Sequence, residues 1–135
     1  MRYRNSNRSL RSYEELKVGD EFPQAVYELT PLLISEYEKA VETLPSSTDL
    51  VPPLAIITYA MKALYQFIYI PPGSIHGSQE VEFFTPVTIG SRINYQIRIV
   101  QKLTRAKLDI LAVEFNAFKY RKLVASGKMT LVLND

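Results

Sequence analysis

Two side chains of this sequence, Asp49 and His76, could together move protons near neutral pH. An aspartate and a histidine that meet in space form an acid–base pair, and histidine titrates close to pH 7. His76 is the only histidine, and Asp49 stands in the loop ahead of Pro52 and Pro53. The more common interpretation is a loop carboxylate and a strand-start histidine, each held by local hydrogen bonds. Both interpretations stay open, and the pair gives the candidate catalytic residues.

A second candidate site is the start of the helix that is predicted after the double proline. The first N–H groups of a helix have no partner within it and the helix dipole is positive there, so this end favours a polarised carbonyl oxygen. An ordinary buried helix start is the alternative. Thr58 also begins a polar stripe with Lys62 and Gln66, which lines a ligand tunnel, a dimer seam or the solvent. The candidate substrate-binding residues are Pro53, Leu54, Ala55, Ile56 and Thr58.

Two pairs of basic residues stand at predicted hairpin tips and could bind phosphate groups, although charged tips are common on any surface. They are Arg105 with Lys107, and Arg121 with Lys122. The sequence has no glycine-rich phosphate loop, no Gly-x-Ser-x-Gly elbow and no His-Glu-x-x-His motif. One histidine and no cysteine argue against a transition-metal site. We therefore expect neither a metal nor a cofactor.

Composition and charge set the broad class of the chain. Its 135 residues are 47% apolar and 22% charged, which is typical of a globular domain. Residues 1–11 hold four arginines and no acid, and the remainder carries a net charge of −2, so the body is not a basic surface for nucleic acid. No run is long and apolar enough to span a membrane. We expect a flexible basic tail over residues 1–12, a single domain over 13–135, and a cytoplasmic location.

The hydrophobic pattern predicts a strand, two helices and then four strands. The first strand is Gln24–Leu29, and Thr30 and Pro31 start a helix with an apolar stripe through Leu33, Tyr37, Ala40, Val41 and Leu44. The second helix, Pro53–Tyr69, is apolar on most sides and must be enclosed by protein. The predicted inward positions of the later strands are Gln79, Val81 and Phe83; Ile93, Tyr95, Ile97 and Ile99; Leu111, Val113, Phe115 and Ala117; and Met129, Leu131 and Leu133. An antiparallel sheet curled around one helix satisfies this order, which predicts an α+β hot-dog fold.

Four segments in this order resemble the MaoC-like (R)-specific hydratase/dehydratase family, a hot-dog branch that acts on acyl thioesters. They are "EELKVGDEF", "TPLLISEYEKAVE", "PPLAIITYAMKAL" and "IHGSQEVEFFTPVTIGSRI". The resemblance covers nearly the whole chain. It implies an acyl-thioester ligand carried by coenzyme A or acyl carrier protein, with the thioester carbonyl at the start of the central helix.

The sequence departs from that family at its catalytic pair. Active members carry an aspartate followed five residues later by a histidine, whereas here Asp49 is followed at that spacing by Leu54. The chain is therefore similar to a non-catalytic half or subunit, inactive alone or dependent on a dyad-bearing partner, and we expect a homodimer or such a heterodimer. The alternatives are an active hydratase that uses displaced residues such as Asp49 and His76, an acyl-CoA thioesterase, and a non-enzymatic acyl-ligand binding module.

Overall fold

The computed structural model describes residues 10–43 and 48–133. These residues form one five-stranded antiparallel sheet, with the strands in the order β1-β3-β4-β5-β2, together with two α-helices. The elements in chain order are a 3₁₀ helix (Tyr13–Glu15), β1 (Ala25–Glu28), α1 (Pro31–Ala40), α2 (Pro53–Tyr65), β2 (Ile75–Phe83), β3 (Arg92–Arg105), β4 (Leu108–Lys119) and β5 (Lys122–Leu133).

Helix α2 packs on the inner face of the curled sheet, which confirms the predicted hot-dog fold. Three of the six buried residues on this helix are alanines, so the helix lies close to β3 and β4. The six are Ala55, Ile56, Tyr59, Ala60, Ala63 and Leu64. Burying a large apolar side chain contributes about 1.5–3 kcal/mol. The hydroxyl of Tyr95 on β3, fully buried, donates to the carbonyl oxygen of Ile56 at 2.8 Å and fixes the start of α2 on the sheet.

The inward positions predicted for β3, β4 and β5 are confirmed. Every one of them is buried, and they form the core together with α2: Ile93, Tyr95, Ile97, Ile99, Leu111, Val113, Phe115, Ala117, Met129, Leu131 and Leu133. Each of these strands has a neighbour on both sides, and α2 covers one face. The alternation of apolar and polar residues is therefore strong in the strands that have one buried face.

The buried face predicted for β2 is wrong. No residue of Ile75–Phe83 is buried; Val81 is only half-buried and Phe83 is 42% exposed. Strand β2 lies at the edge of the sheet, separated by β5 from β3 and β4, the two strands on which α2 mainly packs, so the helix does not bury it. Its alternation marks a strand, as predicted, but not burial in this chain.

Gly127 on β5 allows close approach of both neighbouring strands, β4 and β2. A Cβ atom added to Gly127 would lie 2.4 Å from the Phe115 ring and 2.8 Å from the carbonyl oxygen of Glu80. The backbone carbonyl cannot move without breaking the strand pairing. Gly127 is therefore required by close approach on both sides, and it fixes the register that carries β2.

The end of helix α2 differs from the prediction. Helix α2 ends at Tyr65 rather than Tyr69, because Arg11 pairs with the chain beyond it: the Arg11 N–H donates to the carbonyl of Phe67, and the Tyr69 N–H donates to the carbonyl of Arg11. Residues 1–9 of the predicted tail lie outside the described residues. At its end, the Arg11 side chain forms an ion pair with Asp20 at 2.8 Å, and the Ser12 N–H donates to the Glu15 carboxylate at 2.9 Å.

Helix α1 begins as predicted, with the Thr30 hydroxyl accepting a hydrogen bond from the Leu33 N–H at 3.2 Å and Pro31 in the first turn. Its inward face differs from the predicted stripe. Ile34 and Glu38 are the buried residues, while Val41 is 50% exposed. Leu44 lies outside the described residues. The predicted stripe is therefore only partly inward, and Val41 faces an open cleft instead of the core.

The part of the chain that the structure describes contains no helix long and apolar enough to cross a membrane. Over the same residues, no three histidine, cysteine, aspartate or glutamate side chains come close enough together to hold a metal ion.

Candidate functional site

An apolar cleft of about 880 Å³ opens where α1, the start of α2 and the end of β2 meet. Five of its large apolar side chains are more than 40% exposed: Val41, Leu50, Leu54, Phe83 and Phe84. Exposed apolar surface concentrated in one concave place marks a binding site rather than a random surface. The remaining lining residues are Tyr37, Glu38, Thr43, Thr48, Val51, Pro52, Pro53, Ile56, Thr85, Pro86 and Val87.

Backbone hydrogen bonds hold the walls of the cleft. The Val51 N–H donates to the carbonyl of Val87, and the Ile89 N–H donates to the carbonyl of Asp49, both at 2.7 Å. These two bonds form a short antiparallel bridge around Leu50 and Thr88. The loop ahead of α2 is thereby held against the segment that follows β2, and the two together form adjoining walls of the cleft.

The cleft contains two ionisable side chains among its described lining residues, Tyr37 and Glu38, on neighbouring positions of α1. Glu38 is only 8% exposed. Burial, together with the nearby charge of Glu38, raises the pKa of the Tyr37 hydroxyl above its ordinary value. Tyr37 therefore stays a neutral hydroxyl at physiological pH, and Glu38 is the one carboxylate among the described lining residues of the cleft.

The start of α2 offers fewer N–H donors than a usual helix. Pro52 and Pro53 have none, and no side chain caps this end. The Ala55 N–H donates to the carbonyl of Pro52 at 2.9 Å. The N–H of Leu54 is thus the first one of the helix for which the described residues provide no backbone acceptor. A carbonyl oxygen at this point would accept one hydrogen bond, from the Leu54 N–H, and would be stabilised by the positive end of the helix dipole.

The predicted substrate-binding residues divide into two groups. Pro53, Leu54 and Ile56 line the cleft. Ala55 is completely buried under the helix, and the Thr58 hydroxyl donates to the carbonyl of Leu54 at 3.1 Å within α2, so neither of these lines the cleft.

The predicted catalytic residues lie at opposite ends of the sheet. Thr48 and Leu50 flank Asp49 and line the cleft beside Phe83, the last residue of β2. His76 lies seven residues earlier on β2, which corresponds to about 23 Å along an extended strand. Both side chains are exposed. The structure therefore does not bring Asp49 and His76 of one chain together, and neither lines the cleft.

Sequence reasoning missed two parts of the cleft. One is Tyr37 and Glu38, which sit in a helix whose polar and apolar positions gave no sign of a carboxylate facing a cavity. The other is the wall from Phe83 to Pro86. Its signal was present, because Phe83 and Phe84 are adjacent aromatic residues, and a half-buried strand does not place two apolar residues in succession.

No family model and no curated protein matches the sequence. Among solved structures, the R-hydratase PhaJ1 from Pseudomonas aeruginosa is similar, with a TM-score of 0.72 and 15% identity over 91% of this chain and 85% of that one. A MaoC-like dehydratase from Rhodospirillum rubrum has a TM-score of 0.68 and 14% identity, covering 89% and 94% of the two chains. The ChsH1–ChsH2 complex from Mycobacterium tuberculosis gives 0.69 and 11%, covering 87% and 98%. At such identities the likeness establishes the hot-dog fold shared with these proteins.

Proposed function

We propose that this chain, which has the fold of the MaoC-like dehydratases and R-hydratases, binds acyl thioesters through the cleft at the start of α2 and does not hydrate or dehydrate them alone. The observation that supports this most directly is the composition of the cleft. It is lined by exposed apolar side chains, and no histidine or aspartate lies among the described residues that line it.

The cleft suits an acyl chain in size and in chemistry. Its volume of about 880 Å³ falls in the range of small-molecule sites, about 300–1,000 Å³. Leu54, Phe83 and Phe84 provide apolar walls that would lose their contact with water when a chain enters. Each methylene group that is buried contributes about 0.8 kcal/mol, so affinity should grow with chain length until the cleft is full.

Hydration of a double bond needs an acid and a base placed on the reacting atoms. The pair that could have supplied them here, Asp49 and His76, is separated within one chain. We therefore propose that a second hot-dog chain supplies the dyad when the reaction takes place. One of the similar structures is described as a complex of two proteins, ChsH1 and ChsH2, which supports a heteromeric arrangement. We place this assembly in the cytoplasm.

Exposed apolar surface outside the cleft supports the pairing of chains. On α2 and just beyond it, Tyr65 and Tyr69 are each 48% exposed, and on β2 Ile75 is 62% exposed. Strand β2 also leaves one edge of the sheet without a described partner. A second hot-dog domain, either another copy or a dyad-bearing relative, would cover both the helix face and the edge strand.

The binding proposal is tested with non-hydrolysable thioether analogues of butyl-, octyl- and hexadecyl-CoA, measured by calorimetry on the purified chain. Affinity should rise with chain length. Val41→Trp fills the cleft from the residue that follows α1 and should weaken octyl binding by about tenfold or more. Leu32→Trp is the matched control, since Leu32 lies on α1, is 70% exposed and does not line the cleft. Equal binding by both variants would place the ligand elsewhere.

The need for a partner is tested by assaying crotonyl-CoA hydration with the purified chain. No turnover is expected from the chain alone. Turnover should appear when a dyad-bearing hot-dog protein encoded nearby is added and forms a stable complex in gel filtration. Robust hydration by the isolated chain would refute the non-catalytic assignment, and Asp49→Asn and His76→Ala would then show whether these residues are responsible.

One observation favours a second candidate, thioester hydrolysis: the buried carboxylate of Glu38 lines the cleft. A carboxylate beside a bound thioester can take a proton from water while the hydroxide adds to the carbonyl carbon. The Leu54 N–H would stabilise the oxyanion, and the thiol leaves with the proton from Glu38. The products are the free acid and the thiol.

Hydrolysis is tested by following thiol release from octanoyl-CoA. Glu38→Gln removes the base but keeps the size of the side chain, so it should abolish any release. Glu36→Gln is the matched control, because Glu36 lies on the exposed side of the same helix. If no thiol is released by the unaltered protein, hydrolysis is excluded and the binding role stands.

A further inference from the structure

We propose that the β4–β5 turn, Lys119 to Lys122, binds the nucleotide of coenzyme A when the acyl chain occupies the cleft. This proposal rests on the proposed function and extends it, because it selects the carrier and the part of the surface that holds it. The turn forms a shallow depression of about 570 Å³ with Thr85, Pro86 and Val124.

The depression adjoins the cleft. Thr85 and Pro86 line both, on the segment that directly follows β2. A ligand with an apolar chain in the cleft would therefore extend over Thr85 and Pro86 and reach the turn. An acyl thioester has this shape, with the acyl chain at one end, a flexible linker in the middle and phosphate groups beyond it.

The turn concentrates positive charge. Lys119 and Lys122 are directly paired across β4 and β5, and Arg121 lies between them. Two like charges on opposite cross-strand positions destabilise a sheet. No ion pair within residues 10–43 and 48–133 involves any of these three side chains, whose one described polar contact is that of the Lys119 ammonium with the Thr88 hydroxyl at 3.4 Å. The charge is left available for an anion from outside the chain.

Tyr120 supplies a different kind of surface at the same turn. Its side chain is 84% exposed, and its backbone has a φ of 57°. An aromatic ring held among cations in solvent can stack on a purine base, while the neighbouring ammonium and guanidinium groups bind phosphates. This combination favours the adenine nucleotide of coenzyme A over a carrier protein, whose phosphate bears no base.

The chain also contains the control. The β3–β4 turn carries Arg105 and Lys107, but Leu108 beside it pairs with Arg105 at the end of the sheet where His76 lies, away from the cleft. An acidic residue, Asp109, lies next to that turn and accepts a hydrogen bond from Thr104. Charge at a hairpin tip is thus present at both ends of the sheet, and adjacency to the cleft distinguishes them.

The experiment compares octyl-CoA and octyl-pantetheine thioethers, which share the chain and the linker but differ in the nucleotide. The unaltered protein should bind octyl-CoA at least about tenfold more tightly than octyl-pantetheine, and this difference in affinity should shrink as the salt concentration is raised. Arg121→Ser with Lys122→Ser should remove this advantage and leave octyl-pantetheine binding unchanged. Arg105→Ser with Lys107→Ser should keep it. Tyr120→Ala should reduce the affinity for octyl-CoA but leave unchanged the affinity for an acyl carrier protein that bears the acyl group.

The outcomes separate this proposal from the one on which it rests. Equal affinity for both thioethers, or equal loss from both double variants, overturns the nucleotide site while acyl binding in the cleft stands. Tighter binding of an acyl carrier protein that depends on Arg121 and Lys122 but not on Tyr120 also overturns it in favour of the protein carrier. No binding of either thioether refutes both proposals together.

Discussion

The two ends of the sheet differ in what they present to solvent, although each has a charged hairpin turn. At one end the cleft, the start of α2 and the β4–β5 turn lie side by side. At the other end lies a cavity of about 500 Å³ lined by Tyr13, Tyr69 and Leu133, and neither His76 nor the charged residues of the β3–β4 turn line it. Both turns include non-glycine residues with positive φ, at Tyr120 and at Ala106 with Lys107. Strain and charge therefore do not identify a site by themselves, and their placement next to apolar concave surface does.

The largest effect on stability should come from a substitution at Gly127, which fixes how β2 pairs with β5 and thereby where His76 lies. Gly127→Ala forces a methyl group against the Phe115 ring and the Glu80 carbonyl. Such overpacking costs about 1–3 kcal/mol, to be measured by urea unfolding. Gly77→Ala on β2 is the control, because its nearest neighbours lie at 3.4 and 3.7 Å and accept a methyl group. Equal stability of the two variants would show that β2 is paired differently, and the separation of His76 from the cleft would no longer follow.

Tyr95 and Tyr27, whose ring centroids lie 6.0 Å apart, should give the next largest effect. Burial raises the pKa of Tyr95 far above its ordinary value, and burial also raises the pKa of Tyr27. The unfolded phenol ionises near pH 10, whereas the folded one remains neutral, so the unfolding free energy is intact below that pH and falls above it. Tyr95→Phe should reduce this alkaline loss, and it should also cost about 1 kcal/mol at neutral pH through the lost bond to Ile56.

Alkaline unfolding curves from pH 8 to pH 11.5 on both proteins test this expectation. The Phe variant should lose less stability over the upper part of the range. A slope equal to that of the unaltered chain would show that Tyr95 is not the residue that resists ionisation.

A smaller effect of opposite sign is expected at the two turns. Asparagine tolerates positive φ, so Tyr120→Asn and Ala106→Asn should each stabilise the protein by up to about 1 kcal/mol. The two variants sharpen the comparison because only the first should also weaken octyl-CoA binding. Thermal unfolding measured with and without ligand reports both quantities. A loss of ligand binding in Ala106→Asn would remove the distinction between the ends.

The smallest effect belongs to the predicted catalytic residues. His76→Ala and Asp49→Asn change exposed side chains, and each should alter the unfolding free energy by no more than about 0.5 kcal/mol. Octyl-CoA affinity should also be unchanged for His76→Ala. A marked loss in that variant would mean that His76 reaches a ligand after all, through a second chain.

The fold was largely predictable because three strands are covered on one face and paired on both sides. Every second residue is buried from Ile93 to Ile99 in β3, from Leu111 to Ala117 in β4 and from Met129 to Leu133 in β5, and a period of two follows from that. The edge strand β2 was recognised as a strand but given a buried face, since a sequence shows alternation and not what covers it.

The site was predictable only where local backbone chemistry marks it. Pro53, Leu54 and Ile56 line the cleft because a double proline starts a helix there. Glu38 gave no signal, since its carboxylate differs from that of the exposed Glu36 only by the direction in which the helix is turned. Whether Asp49 meets His76 depends on the strand order and register, and neither can be read from the spacing of the two residues.

The double proline at Pro52 and Pro53 affects how tightly the cleft can bind a free fatty acid. A fatty acid freed from its carrier ends in a carboxylate, which needs several donors to replace its hydration. This helix start offers it only the N–H of Leu54, and the Glu38 carboxylate lines the same cleft. We expect the cleft to bind a free fatty acid more weakly than an acyl thioester of the same chain length.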